Sequence, residues 1–151
     1  MQDYRLYVLM RNDLQSMTPG RCMAQANHAA SVLEHDFGAV SKCHRQEVVD
    51  WKKQTKQGFG TCIVLSASKE QIDTIFNTGE LKRWIMKGWV IDPDYCVRVT
   101  HEVARFMKGV KFIPESADEK TIAFTRSEKT CAFVFGTKEE LYPYLGKLPL
   151  A

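Results

Sequence analysis

The run TPGRCMAQANHAA at residues 18–30 places Arg21, Gln25 and His28 four and then three residues apart. On a helix those intervals stack side chains on one face. Such a stripe carries a guanidinium, an amide and an imidazole, groups that can hold an anion, fix a polar group and move a proton. Cys22, Ala26, Ala29 and Leu33 fall on a neighbouring stripe, where small side chains let a helix approach a sheet closely. Spacing alone leaves two readings of the polar stripe. Polar stripes on amphipathic helices are ordinarily solvated faces. The other reading is one organised polar edge near the N-terminal end of a packed helix.

Local signals place that stripe within a larger order. RLYVLMR (5–11) reads as a buried strand. Thr18-Pro19 offers a capping hydroxyl and then proline at the first helical position. The helix is expected to reach about Glu34 or His35, with Phe37-Gly38 breaking the pattern. RQEVVDWKKQ (45–54) reads as a short amphipathic helix and GTCIVLSA (60–67) as a second strand. Ser68 followed by KEQ opens another helix that Gly79 ends. LKRWIMKG (81–88) is expected to add a turn or two of helix closed by Gly88. WVI (89–91) begins a third strand and DPDYC (92–96) reads as a turn. Residues 97–130 give only short extended pieces around VRVTHEVARF, VKFI and TIAF. TCAFVFG (130–136) is a last strand and KEELYPYL (138–145) a C-terminal helix. Strand–helix alternation of this kind is a βαβ-type order. The expected fold is a single α/β domain over 1–151. Its small mixed sheet has four or five strands and helices on both faces, a three-layer α/β/α arrangement. The polar 36–58 stretch is expected to form a mobile flap or a partner surface.

Composition narrows the classes. The chain has 151 residues, 44% hydrophobic and 26% charged, with a formal net charge of +3. That is material for one real core. The longest apolar runs, CIVL and CAFVF, fall far short of the roughly 20 residues that a membrane-spanning helix needs. The N-terminal MQDYRLYVLMRND has no basic n-region and reads as a strand, so a cytoplasmic protein is expected. The five cysteines have no C-x-x-C spacing, which argues against a disulfide framework or a standard zinc site. Cys62 and Cys131 lie in apolar runs and read as small core residues. Cys43 and His44, with His28 and His35, are the alternative as a zinc set. The mild positive charge permits a polyanionic partner. Lys52, Lys53 and Lys56 flank Trp51 and Phe59, and Lys82, Arg83 and Lys87 surround Trp84 and Trp89. These clusters fit either nucleic-acid contacts or lysine-covered faces over core tryptophans.

The longer string YVLMRNDLQSMTPGRCMAQANHAA resembles the archaeal and eukaryotic type of peptidyl-tRNA hydrolase, the second of two unrelated families with that activity. That family has a first strand, then R-x-D-L, a methionine, and G-K-x-x-A-Q-x-x-H-A-A opening the first helix. Arg11, Asp13, Leu14, Met17, Gly20, Ala24, Gln25, His28, Ala29 and Ala30 match in order. TCAFVFGTKEEL is similar to the family's T-V-L-x-I-G-P last strand and following helix. WKKQ before the second strand and SASKEQIDTIF after it are similar to its L-x-x-W and A-x-x-E-x-x-L. The resemblance spans most of the chain and is tight over the first 35 residues. Three departures stand out. Arg21 replaces the family's lysine, and the loop before the glycine is one residue longer. The family's D-A-G-R-T, which carries its catalytic aspartate, has no counterpart string. Asp92 in WVIDPDY is the best positional match, with Asp94 and Asp118 as further candidates. This diverged form looks like phage-encoded members.

What the resemblance implies is hydrolysis of the ester joining a peptide to the terminal ribose of tRNA, by direct attack of water and without a metal or cofactor. It also implies a homodimer. Asp92 and His28 would polarise or position the water, and Arg21 would stabilise developing negative charge or a nearby phosphate. Gln25 and Thr130 would position substrate, with Arg11 and Asp94 beside it. Each residue has a plainer reading. His28 is then bonded within the fold, Asp92 and Asp94 form a turn around Pro93, Thr130 starts a strand, and Arg11 pairs with Asp13 to fix a loop. The loss of D-A-G-R-T and the lysine-to-arginine change motivate a second class, a catalytically silent tRNA- or RNA-binding module with the same fold. A third is a dimerisation domain that uses 97–130 as its surface.

Overall fold

The computed structural model describes residues 2–151. Strand β1 (Tyr4–Arg11) leads to helix α1 (Pro19–Leu33), which passes into a π-helical segment, Glu34–Val40. Helix α2 (Arg45–Lys52) and strand β2 (Cys62–Ala67) follow, then α3 (Lys69–Phe76) and a 3-10 turn at Gly79–Arg83. Strand β3 (Lys87–Thr100), the short helix α4 (His101–Phe106) and the two-residue strand β4 (Phe112–Ile113) precede β5 (Thr121–Thr137) and α5 (Lys138–Leu145). The sheet order is β2-β1-β5-β3, with β4 on β5. β1 and β2 run parallel, and the other pairs are antiparallel. The fold is the expected α/β class with a mixed sheet.

β1 and the end of β5 are central and covered on both sides, which is why they read as continuous apolar runs. Side chains alternate between the two faces. Leu6, Val8 and Met10 with Cys131, Phe133 and Phe135 meet Ala29 and Leu33 of α1 and Val48 and Trp51 of α2. Tyr7 and Leu9 with Ala132 and Val134 meet Ile72 of α3 and Leu141 and Leu145 of α5. Two of the caps, at Thr18 and Ser68, are those expected from the sequence, and a third lies at Thr137. Thr18 accepts from the Arg21 amide, and Ser68–Gln71 and Thr137–Glu140 form reciprocal capping boxes.

Several expectations need correction. DPDYC is not a turn: β3 runs through it with a bulge, because Pro93 and Asp94 together stand opposite Ser127 alone. The chain does not break at Phe37-Gly38 but continues as π-helix to Val40. The 36–58 stretch is anchored and not a free flap, since Val48 and Trp51 are core residues. The turns expected from Leu81 are a 3-10 segment ending at Arg83, and Gly88 lies inside β3. Cys131 is buried as expected, but Cys62 opens β2 in an exposed position. Residues 97–130 form an arm. β3 and β5 extend together past the sheet, carrying α4 and β4 over a satellite cluster of Tyr95, Val97 and Phe124 packed with Leu14, Met17 and Phe112.

Candidate active site

α1 places a glutamine on its buried face. Gln25 is only 3% exposed, beside the buried Ala29 and Leu33. An amide in that position must find partners for both ends. Its Nε2 donates to Asp92 Oδ2 at 2.7 Å, and its Oε1 accepts from the Thr130 hydroxyl at 2.6 Å. Chemistry fixes the amide's orientation. A carboxylate only accepts, so Nε2 faces Asp92 and Oε1 is left for the hydroxyl. The second carboxylate oxygen, Asp92 Oδ1, accepts the backbone N–H of Asp94 at 3.0 Å. Three elements distant in sequence thus converge on one hydrogen-bonded chain, Thr130–Gln25–Asp92.

The convergence depends on two irregularities in the β3–β5 ladder. Val90 pairs with Cys131 and Ile91 with Lys129, so Thr130 is an extra residue on β5. Cys131, Phe133 and Phe135 face α1 by strict alternation, which would send Thr130 to the opposite face. The extra residue turns it back, and Thr130 and Cys131 both contact Gln25. The second irregularity is the Pro93–Asp94 bulge, which lets the Asp94 amide reach back to Asp92. Bulges re-aim side chains and recur beside active sites.

Asp92 and His28 share a cavity of about 260 Å³, walled by His28, Ser31 and Val32 of α1 and by residues 90–93 of β3. His28 is exposed and makes no side-chain hydrogen bond among the described residues, so its ring is open to a molecule in the cavity. The polar stripe therefore divides: Gln25 turns into the protein, and His28 faces outward beside Asp92.

Other candidates lie elsewhere. Arg21 is committed to backbone, donating through Nη1 to the carbonyls of Ser16 at 2.6 Å and Cys96 at 2.9 Å. Its guanidinium also lies 5.7 Å from the centre of the Tyr95 ring. It ties the loop before α1 to the base of the arm. Arg11 is nearly buried and bonds Asp13 at 2.8 Å, Glu128 at 2.9 Å and the Lys129 carbonyl at 2.9 Å. That hydrogen bond to Arg11 holds the Asp13 carboxyl below the usual carboxylate range, helped by the Lys69 amide. Asp118 sits at the arm, accepting from the amides of Lys120 and Thr121 and pairing with Arg98. The Asp94 side chain is exposed, and only its amide joins the chain.

The tryptophan–lysine clusters resolve mostly into structure. Trp51 and Trp84 donate their indole N–H to the carbonyls of Thr61 and Phe135. Lys87 is spent on the carbonyls of Phe76, Leu81 and Lys82, and burial lowers its pKa. No group of three or more His, Cys, Asp or Glu side chains is gathered as a metal set among the described residues. No helix there is long and apolar enough to cross a membrane. Neither a family model nor a curated protein matches the chain.

Sequence reasoning missed Glu128 as the second carboxylate on Arg11 and Ser31 as part of the cavity wall. Both are brought in by pairing across the fold, which leaves no local signal. The doubled aspartate around Pro93 carries a bulge signal that reads equally well as a turn.

Proposed function

We propose that the chain hydrolyses the ester of peptidyl-tRNA at the cavity between α1 and β3. The observation that carries the reading is the Thr130–Gln25–Asp92 chain with His28 on the same cavity wall. It brings together Asp92, His28, Gln25 and Thr130, to which the family resemblance assigns roles, and leaves out Arg21, Arg11 and the Asp94 side chain. In this mechanism a water beside Asp92 and His28 attacks the ester carbonyl carbon. One of the two takes the water's proton as general base. The acyl–oxygen bond breaks, the peptide leaves as a carboxylic acid, and the proton passes to the departing ribose oxygen. Gln25, held by Thr130, is a positioning residue that fixes the carboxylate's direction. Pre-set geometry of this kind removes reorganisation from the barrier.

The test is release of free tRNA from N-blocked aminoacyl-tRNA by wild type, Asp92→Asn and His28→Ala. In the Asp92→Asn variant the single amide oxygen can accept from Gln25 or from the Asp94 amide but not from both, so the charge and one of the two hydrogen bonds are removed together, and folding is checked beside activity. A loss of two or more orders of magnitude is expected for the base, typical of general-base removal. Full activity in both variants would sink the proposed site.

One observation favours a second reading. Arg21 is engaged by the carbonyls of Ser16 and Cys96 and is not joined to Asp92. A silent RNA-binding module would show no turnover by wild type and salt-dependent tRNA binding.

A further inference from the structure

The outer end of the arm carries groups that neither the sheet nor the cavity uses. Helix α4 turns Val103 and Phe106 outward, 50% and 81% exposed. They lie three residues apart and so share one face. From Val103 to Ile113 the chain holds Arg105, Lys108 and Lys111 and no carboxylate. All three cations are exposed, and none makes an ion pair among the described residues. Elsewhere on the arm Arg98 pairs with Asp118 and bonds the Ser116 carbonyl, and Arg126 pairs with Glu128, while Glu102, Glu115, Glu119 and Lys120 are exposed and make no ion pair among the described residues. Beneath the cations, Met107, Val110 and Phe112 pack on the Tyr95–Val97–Phe124 cluster. The row is therefore mounted on a folded element. Along β3, Tyr95 to Thr100 spans five strand steps, about 17 Å at ~3.3 Å each, which sets α4 well beyond Asp92.

Exposed, unpaired cations within a few residues of an exposed aromatic ring match a polyanion that also offers flat bases. Lys and Arg neutralise phosphates, and a ring supplies a stacking surface. RNA offers both chemistries in every nucleotide, a phosphate for a cation and a planar base for the ring. We propose that Arg105, Phe106, Lys108 and Lys111 form a second RNA-contacting surface, which grips the backbone of the RNA whose 3′ end enters the Asp92 cavity. That the RNA is tRNA rests on the function proposed above; the grip itself does not depend on turnover.

The test uses the full chain and deacylated tRNA, with Kd measured from low to moderate salt. The proteins are wild type, the triple variant R105A/K108A/K111A, Phe106→Ala, and the control K69A/K138A/K147A, with circular dichroism as the check on folding. The arm triple is expected to weaken binding at least ~10-fold and to flatten the log Kd–log salt slope by about 2 to 3, one unit per lost phosphate contact. Phe106→Ala is expected to weaken binding about tenfold with the slope unchanged, as for a lost base stack. The control triple is expected to bind like wild type. Equal losses in the two triples would mean nonspecific attraction and overturn the proposal, as would absence of tRNA binding by wild type. If the arm triple loses binding and wild type shows no hydrolysis, the surface stands and the hydrolase reading falls. If wild type hydrolyses and the arm triple binds normally, the reverse holds.

Discussion

Phe133 and Phe124 lie on the same strand and are both almost wholly buried, yet their surroundings differ. Phe133 sits between α1, α2 and neighbouring strands, in a cluster of twelve buried residues. Phe124 belongs to a cluster of three, backed by partly buried neighbours from the loop before α1 and from the arm itself. The body of the sheet is covered on both faces, whereas the arm rests on one small patch. Burial of a single side chain therefore says little about how cooperatively its region is held. What matters is how many other elements must open with it. The candidate site stands at the boundary, since Thr130 lies in the body and Asp92 at the root of the arm.

The largest expected effect breaks the body. Phe133→Ala should cost about 3–5 kcal/mol of global stability, the usual range for a buried phenylalanine. It should appear as a lower midpoint in urea unfolding, with all probes moving together. Phe124→Ala removes as many atoms from the smaller cluster. Amide exchange over 121–125 should quicken by about 10²-fold, equivalent to ~3 kcal/mol, while 132–135 stay near wild-type rates. Uniform acceleration of both segments would show that arm and body open as one unit.

The boundary itself gives the middle effects. Thr130→Val keeps the shape but leaves the Gln25 carbonyl without its donor, at a cost of about 1–3 kcal/mol. Thr130→Ser should recover most of that loss in the same denaturation series. If valine is tolerated as well as serine, the hydrogen-bonded chain is not what holds Gln25. Acid offers a finer probe. Asp13 has its pKa lowered in the fold, chiefly by the hydrogen bond from Arg11. Its contribution is present above the ordinary carboxylate range, near pH 4, and fades as pH falls through the lowered value. Arg11→Met should remove most of that acid-dependent part, leaving the share held by the Lys69 amide, and flatten the stability–pH curve below about pH 4. The smallest effect leaves stability untouched. Burial pushes the Cys131 thiol up to about 12, whereas Cys43 is exposed. At pH 8, iodoacetamide should label Cys43 and spare Cys131, because the thiolate is the reactive form.

The legible parts of this fold are those governed by neighbours in sequence. Thr18-Pro19, Ser68 with Gln71, and the apolar run at 5–11 each carry their own instruction. Gln25 can be placed on a stripe, but its burial depends on partners 67 and 105 residues away. Thr130 reads as a strand residue, which it is, but the ladder shift that turns it toward α1 follows from pairing with β3. The DPDYC stretch has the composition of a turn and the structure of a bulged strand, because β5 runs alongside and fixes it. The arm is least legible of all: its strands are alternating but short on each side of α4, and only their mutual pairing makes them one hairpin. The roles of Asp92 and His28 come from resemblance to a family, and their shared cavity is the geometric ground on which those roles can be tested.

One end of the sheet is already occupied by the chain itself. Leu150 bridges Leu65 in antiparallel fashion, and the Ser66 amide donates to the Pro149 carbonyl, so residues 149–151 lie along β2. At the other end β3 has no strand beyond it among the described residues. Lateral growth of the sheet therefore has one long free side. Two molecules meeting there through a two-fold axis would consume both free sides at once, so strand addition stops at a pair and cannot propagate into a fibre.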